Sequence, residues 1–296
     1  MTTFNRTGAW VCVIAGGAGL GAALAWPSAA APAPLRPAFG AVICTAKPPR
    51  FDHAFANDIR VVPAGSVIRV ADAGISQADH AEVMFKLGLL QGHLMIGRAL
   101  IEAGQQTLAL PHFGHPVREL YDDISGDMTK RGLSQFDGEL IALEALAAGK
   151  PGDPAMLAQY DKVLRIMDAV RATVPSELRD NVPFMTGVLG EVSVVAGEDY
   201  NESVEDGRIT KPVEYHDSRG YLLYAAQELT RLEGRPELHG DARLAAARAG
   251  ITELQAIVAP LLPPEVPIRT VAQFKAAVAR YKAAVAVPPA ASTPKA

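Results

Sequence analysis

Residues 76–104 carry apolar side chains at helical spacing along two neighbouring stripes. The stripes consist of Val83, Leu87, Leu90, Leu94, Gly97 and Ile101, and of Phe85, Leu89, Ile96 and Leu100. Ser76, followed by Asp79, is close to a capping box and predicts where the helix begins, and Gly104 predicts where it ends. Because apolar residues cover so wide an arc, we expect other helices to surround this one at the centre of a bundle.

Gly and Pro residues divide the rest of the chain into further segments with helical periodicity. Helices are predicted over residues 116–131, 134–148, 153–174, 183–204, 213–233, 242–262 and 271–285. The fold class that follows is all-α, an up-down helical bundle. A Gly-His pair early in the bundle and a Gly-Glu pair later each precede a turn and a helix start. Residues 76–175 and 176–286 can therefore be interpreted as two similar helical halves.

The N-terminal residues have the layout of a secretory signal peptide, expected to span residues 1–30. Arg6 precedes an apolar run over residues 10–26, and small residues follow, with cleavage expected near Ala30 or Ala31. The run is shorter and richer in Gly and Ala than a membrane-spanning helix, and no later segment is apolar enough to span a bilayer. These features predict an exported, periplasmic chain with no membrane span after cleavage.

Residues 31–75 are Pro-rich and are expected to form a short extended arm, in which residues 59–70 have a pattern typical of a β-hairpin. Residues 287–296, rich in Pro and Ala, are expected to be disordered. Only Cys44 remains once the signal peptide is removed, so stability must come from packing or a bound ion instead of a disulfide. The net charge of −4, with scattered basic residues, argues against a nucleic acid partner.

Four of the seven histidines fall between His80 and His115, which indicates a metal or cofactor site because histidine is the commonest metal ligand. His80 is expected on the surface in the first helical turn, whereas His93 lies within the apolar arc. His112 and His115 stand just before the next predicted helix, with His115 as its N-cap. Glu119, one turn beyond, shares a helix face with His115 and can offer an oxygen to the same ion. The alternative is that these histidines only cap a helix or hydrogen-bond within the core.

A second polar group belongs to the later helices. It contains Glu191, Glu198, Asp199, Glu214, His216 and Asp217. Carboxylates and imidazoles that project inward from facing helices hold iron or manganese in bundles, although the usual Glu-x-x-His spacing is missing here. The two groups together supply the predicted metal ligands, which are His93, His112, His115, Glu119, Glu191, Glu214 and His216.

The one-letter stretch GEDYNESVEDGRITKPVEYHD, residues 197–217, resembles the extracytoplasmic helical domain attached to some bacterial high-affinity iron permeases. In that domain a tyrosine, an acidic turn, a glycine and a Glu-Tyr pair join two helices. The resemblance implies a periplasmic helical module of metal acquisition whose partner is a membrane permease or another periplasmic protein. The exported helical plan also resembles the imelysin-like periplasmic proteins of iron uptake. Their Gly-x-His-x-x-Glu motif is not met at Gly92-His93, where Ile96 stands in place of the glutamate.

Together these features predict an exported helical-bundle protein that binds a metal ion or metal complex, without catalysis, in metal acquisition or homeostasis. Iron or copper is the expected ion, and haem is the alternative ligand. Haem attachment of the c type is excluded because the sequence has no Cys-x-x-Cys-His. Familiar hydrolase and phosphate-binding motifs are also absent from the sequence. The remaining alternative is a structural or protein-interaction module of the periplasm that holds no metal.

Overall fold

The central helix begins and ends where the sequence predicts. In the computed structural model, which describes residues 74–286, helix α1 covers Gln77–Glu102. The Ser76 hydroxyl accepts a hydrogen bond from the backbone N–H of Asp79, and the Asp79 carboxylate accepts one from the Ser76 backbone, which completes a capping box. Gly104 follows the helix with a φ of +72°, in the left-handed region that glycine enters at no steric cost.

The connection after α1 consists of short helical pieces. They are helix α2 (Gln106–Ala109), helix α3 (Pro111–His115), a π-helical turn (Pro116–Leu120) and helix α4 (Tyr121–Lys130). The prediction that a helix begins at Pro116 with His115 as its cap is therefore wrong, because His115 already lies inside a helix that begins at Pro111. Pro116 has no N–H to donate to the preceding turn, so the chain passes through it with the wider hydrogen bonding of a π-turn.

The remaining helices follow the predicted order, with one unpredicted short helix at Ser176–Arg179 and an earlier end, at Ile257, for the helix predicted over residues 242–262. They are α5 (Asp137–Gly149), α6 (Pro154–Arg171), α7 (Ser176–Arg179), α8 (Val182–Ser203), α9 (Pro212–Glu233), a short 3-10 turn (Pro236–Leu238), α10 (Ala242–Ile257) and α11 (Val271–Ala286). The side chains of Asp153, Asn181 and Asp241 accept hydrogen bonds from the first-turn backbone of α6, α8 and α10. The all-α bundle predicted from periodicity is confirmed.

A two-stranded hairpin joins α8 to α9. Strand β1 (Val204–Glu205) pairs antiparallel with strand β2 (Arg208–Ile209). The turn between them has positive φ at both Asp206 (49°) and Gly207 (74°), the arrangement of a type I′ turn. Because this turn is tight, α8 and α9 pack against each other, and the end of α8 faces the first turns of α9.

Helix α9 also packs along α1, and the two backbones touch at one crossing. A Cβ added to Gly220 would lie 2.4 Å from the carbonyl oxygen of Gly92, and one added to Gly92 would lie 2.9 Å from the backbone nitrogen of Tyr221. Only glycine permits so close an approach at both positions. The crossing places His93 of α1 beside the part of α9 that contains Asp217.

Several predicted segments lie outside the described residues. These are the signal peptide (1–30), nearly all of the extended arm (31–75) and the C-terminal tail (287–296). The division into two similar helical halves at residue 175 stays a prediction. Within residues 74–286, no helix is both long and apolar enough to cross a membrane.

Candidate metal centre

Three histidines from two helices surround the carboxylate of Asp217, which is 2% exposed. Oδ1 of Asp217 lies 2.6 Å from Nδ1 of His93 and 2.7 Å from Nδ1 of His112. Oδ2 of Asp217 lies 3.5 Å from Nδ1 of His115. The ring centroid of His93 lies 6.2 Å from the ring centroid of His112 and 5.5 Å from that of His115. We call these four side chains the imidazole site.

Local helix geometry explains how the histidines reach one place. His112 and His115 are three residues apart on α3, so both project from one helix face. That face approaches α1 because Gly97 leaves room for it. A Cβ on Gly97 would lie 2.9 Å from the ring of Phe113 and 3.2 Å from Cβ of His112. His93 enters from α1 itself, at the close crossing with α9.

Several imidazole nitrogens in the imidazole site are buried without a hydrogen bond. Nδ1 of His112 hydrogen-bonds to Asp217, and Nε2 of His93 is 2.9 Å from the hydroxyl of Tyr221. Within residues 74–286, Nε2 of His112, Nδ1 of His93 and Nδ1 of His115 have no hydrogen-bond partner. Although Nδ1 of His93 is close to Asp217, a hydrogen on that nitrogen would not point at the carboxylate. Buried nitrogens that converge on a carboxylate in this way form a donor set that a metal ion would satisfy.

The spacing of these ligand atoms fits a first-row metal ion. Bonds from such ions to nitrogen and oxygen are ~2.0–2.2 Å long, so neighbouring ligand atoms in one coordination shell are about 3 Å apart. One ligand atom each from His93, His112 and Asp217 lie within 4.8 Å of one another. Imidazole ligands suit iron, zinc, copper and nickel.

Asp217 and His115 carry opposite charges in the imidazole site, as the shifts of their pKa values indicate. Burial would raise the pKa of the Asp217 carboxyl, but His93 and His112 hold that pKa well below its ordinary value. Burial would lower the pKa of His115, but its contact with Asp217 outweighs that effect and raises the pKa to about 9. Burial lowers the pKa of His112 despite the same carboxylate. At neutral pH, therefore, Asp217 is an anion, His115 carries the compensating proton, and His112 is neutral, as a metal ligand must be.

Asp199 and Glu214 bring two more carboxylates to the same region. Asp199 lies near the end of α8, and Glu214 lies in the first turn of α9, one turn before Asp217. One oxygen from each of the three carboxylates lies within 4.8 Å of the others. Burial, reinforced by repulsion from Asp217, raises the pKa of Glu214 to about 7 and raises the pKa of Asp199 well above its ordinary value. We call Asp199, Glu214 and Asp217 the carboxylate site.

The structure brings most of the predicted ligands together. The three histidines predicted to bind the metal from the first polar group all lie in the imidazole site, and Glu214 lies in the carboxylate site. Glu119 lies at the edge of the imidazole site, where its Oε1 is 3.9 Å from Nε2 of His115. That these residues bind a metal stays a prediction.

His216 and Glu191 have other partners. His216 is fully buried beside the imidazole site, and its ring centroid is 5.4 Å from that of His112. Its Nε2 donates a hydrogen bond to the carbonyl of Leu261, and burial lowers its pKa to about 4. Glu191 forms a 2.9 Å ion pair with Lys282 of α11. The Glu191 carboxylate is therefore paired with a lysine of another helix and does not join the imidazole site or the carboxylate site.

His80 is buried, so the expectation that it lies on the surface is wrong. It is 1% exposed, and its Nδ1 is 3.2 Å from a guanidinium nitrogen of Arg131. Arg131 also donates a hydrogen bond to the backbone carbonyl of Asp79. The chain that follows α4 returns over the first turn of α1, and helical periodicity within α1 cannot indicate that return.

Asp217, Asp199 and Tyr221 line the centre but are missing from the predicted ligand set. Both aspartates belong to the second polar group, and Asp217 follows Glu214 by three residues, so their common helix face was a usable signal. The contact between Asp217 and His93 has no signal in the sequence, because it depends on how closely α1 and α9 cross.

Residues 175–288 match the family model of the iron permease-associated 4-helix bundle domain. The matched range contains α7 to α11, and with them the whole carboxylate site, whereas the three histidines of the imidazole site precede it. Searches among curated proteins and among solved structures gave no match. The resemblance to imelysin-like proteins stays a prediction. Residues 175–288 form a helical domain related to those that accompany iron permeases.

Proposed function

We propose that the imidazole site binds a first-row divalent metal ion, and that the chain serves iron uptake as an exported, non-catalytic partner of a membrane permease. The observation that carries the proposal is the convergence of three Nδ1 atoms on the buried carboxylate of Asp217, with two of those nitrogens lacking hydrogen bonds. The match of residues 175–288 to an iron permease-associated domain supports iron as the ion.

Metal binding at this site is coupled to the loss of a proton. His115, whose pKa is raised to about 9, carries a proton at neutral pH, and the ion takes over the charge that this proton supplies to Asp217. Sites built from imidazole and carboxylate bind Cu²⁺ and Zn²⁺ at least as tightly as Fe²⁺. Selection of iron would therefore come from the supply of metal and from the partner permease.

The test compares metal binding by the untagged protein and by an Asp217→Asn variant. We expect the wild type to bind Fe²⁺ under anaerobic conditions, measured by calorimetry and elemental analysis, and the variant to bind it more than about 100-fold more weakly. Asp127→Asn is the matched control. Asp127 is also a buried aspartate, with 5% of its surface exposed. Its Oδ2 forms an ion pair with Nζ of Lys86 at 2.9 Å, so it lies outside the imidazole site. The control should bind Fe²⁺ like the wild type.

The proposal fails if the wild type holds no stoichiometric metal and its melting temperature does not change with Fe²⁺, Zn²⁺, Cu²⁺ or Mn²⁺, because an ion that binds only the folded state must stabilise it. In that case the polar cluster would be a device that fixes the register of α1, α3 and α9.

The exported location rests on the sequence of residues 1–30. Fractionation of cells that express the full chain, followed by N-terminal sequencing of the product, tests it. We expect a periplasmic protein that starts near residue 31, whereas an uncleaved cytoplasmic protein would contradict this part of the proposal.

A further inference from the structure

His216 lies beside the imidazole site but is not one of its four side chains. We propose that His216 is a positioning residue for metal binding: its Nδ1 accepts a hydrogen bond from Nε2 of His112, which holds His112 in the tautomer whose Nδ1 can bind the ion. This inference rests on the proposed function of the imidazole site. It adds a residue that acts on the ion only through another side chain.

The loop between α10 and α11 fixes where His216 carries its hydrogen. Nε2 of His216 lies 3.0 Å from the carbonyl oxygen of Leu261. Because a carbonyl oxygen only accepts hydrogen bonds, Nε2 must carry the hydrogen. His216 is fully buried, and burial lowers its pKa to about 4, so the ring is neutral at neutral pH. In a neutral ring that carries its hydrogen on Nε2, Nδ1 is a hydrogen-bond acceptor.

The rings of His112 and His216 lie at the separation that such a hydrogen bond requires. Their centroids are 5.4 Å apart. Two imidazoles joined by an N–H···N hydrogen bond of ~3 Å have centroids about 5 Å apart. Both side chains are fully buried, and within residues 74–286 neither Nε2 of His112 nor Nδ1 of His216 has a hydrogen-bond partner. Because an unpaired buried nitrogen is costly, each of the two is a suitable partner for the other.

The position of the hydrogen on His112 decides whether this bond forms. Nδ1 of His112 lies 2.7 Å from the carboxylate of Asp217. A carboxylate only accepts, so Nδ1 carries the hydrogen in the structure and Nε2 has a lone pair. Two nitrogens that both have lone pairs cannot hydrogen-bond, which accounts for the unpaired Nε2 of His112 and Nδ1 of His216.

Metal binding requires the other tautomer of His112. His112 can offer Nδ1 to an ion only when its hydrogen is on Nε2, and that N–H can then donate to Nδ1 of His216. Histidines that bind metals almost always donate their second ring N–H to a neighbouring acceptor, which fixes the tautomer and the ring orientation. The carbonyl of Leu261, His216 and His112 therefore form a relay from the loop to the imidazole site.

The first test observes the tautomers directly. Long-range proton–nitrogen correlation NMR is recorded on the full chain with isotopically labelled histidine, with Zn²⁺ alone as a diamagnetic probe. We expect the hydrogen of His112 on Nδ1 without metal and on Nε2 after Zn²⁺ is added, and the hydrogen of His216 on Nε2 in both samples. A zinc-loaded protein in which His112 keeps its hydrogen on Nδ1, or in which His216 carries its hydrogen on Nδ1, would overturn the proposal.

The second test measures Zn²⁺ affinity by calorimetry in three variants. His216→Phe keeps a ring but removes the acceptor, and it should weaken binding about 10–100-fold. His216→Asn places an amide oxygen near the position of Nδ1 and should recover most of the lost affinity. Tyr215→Phe is the matched control, because the Tyr215 hydroxyl donates to the carbonyl of Pro260 in the same loop at 2.9 Å. The control loses one bond to the loop without removing the acceptor and should bind Zn²⁺ like the wild type.

The outcomes separate this inference from the proposed function. If the wild type binds Zn²⁺ and His216→Phe binds it equally well, the inference fails and the proposed function stands. If Tyr215→Phe weakens binding as much as His216→Phe, or if His216→Asn recovers nothing, the effect comes from the loop and the inference again fails. A wild type that binds no metal ion refutes the proposed function and this inference with it. If His216→Phe does not fold, the tautomer of His112 in the zinc-loaded wild type decides.

Discussion

Replacing Gly220 with alanine should separate α1 from α9 and destroy the metal centre. The added Cβ would lie 2.4 Å from the carbonyl oxygen of Gly92 and 2.9 Å from its carbonyl carbon. Both are backbone atoms, so no side-chain rotation can relieve the clash. Since non-bonded heavy atoms are optimally ~3.5 Å apart, the helices must separate by about 1 Å.

The cost of that movement follows from overpacking. Forcing an extra methyl group into a packed interior costs about 1–3 kcal/mol, and a clash with backbone belongs at the upper end of this range. A domain of this size loses roughly 2–4 °C of melting temperature per kcal/mol, so Gly220→Ala should melt about 6–12 °C below the wild type. Metal binding should fail as well, because His93 on α1 and Asp217 on α9 must keep their bonds to the ion within ~0.2 Å.

Thermal unfolding followed by circular dichroism, together with Fe²⁺ titration, measures both effects. Gly126→Ala in α4 is the matched control, because its added Cβ would meet nothing within 4 Å. Alanine should stabilise that helix by roughly 0.5–1 kcal/mol without affecting metal binding. A Gly220→Ala protein that melts within about 2 °C of the wild type and still binds Fe²⁺ would refute the reasoning.

Three further changes test separate parts of the account. The pKa of Asp79 is lowered to about 2, chiefly by the hydroxyl of Ser76, so its contribution to the free energy of unfolding is present above pH ~4 and is lost as the pH falls towards 2. Asp79→Asn should lower the free energy of unfolding in urea by about 1–2 kcal/mol at pH 7, and the variant should lose less stability than the wild type between about pH 4 and pH 2. Glu191→Gln should cost about 1 kcal/mol by urea unfolding and leave metal content unchanged, and a fall in metal content would make Glu191 a ligand after all. Tyr221→Phe removes the hydrogen-bond partner of His93 Nε2. It should weaken Fe²⁺ binding about 10–100-fold and lower the free energy of unfolding by only about 1 kcal/mol. An unchanged affinity would show that the Tyr221 hydroxyl does not orient the His93 ring.

Most of the fold could be predicted from the sequence because helices are local. Helix α1 is defined by its apolar arc, by the N-cap residue Ser76 and by Gly104, which follows its C-terminus. Each of these signals acts within a few residues of its own position in the sequence. The error at Pro116 is local too, because proline is compatible both with a helix start and with a π-turn. A sequence pattern alone does not choose between the two.

The geometry of the candidate metal centre could be predicted only in part, because its side chains meet through tertiary contacts. Histidine density drew attention to His93, His112 and His115, and the structure places these three rings close together. The central position of Asp217 depends on the crossing of α1 and α9, which nothing near Asp217 in the sequence encodes. Glu191 shares the helix of Asp199, yet it faces Lys282 of α11. Helical periodicity assigns a face to a residue, but it does not identify the helix that the face contacts.

Anomalous X-ray diffraction at the iron absorption edge tests the central claim most directly. Crystals of the untagged protein grown without metal and soaked anaerobically in Fe²⁺ should show a strong anomalous peak about 2 Å from nitrogen atoms of His93 and His112 and from an oxygen of Asp217. The peak should be absent from crystals of Asp217→Asn treated in the same way. A map of the wild type with no peak between these three side chains, or with its only peak elsewhere, would contradict the account.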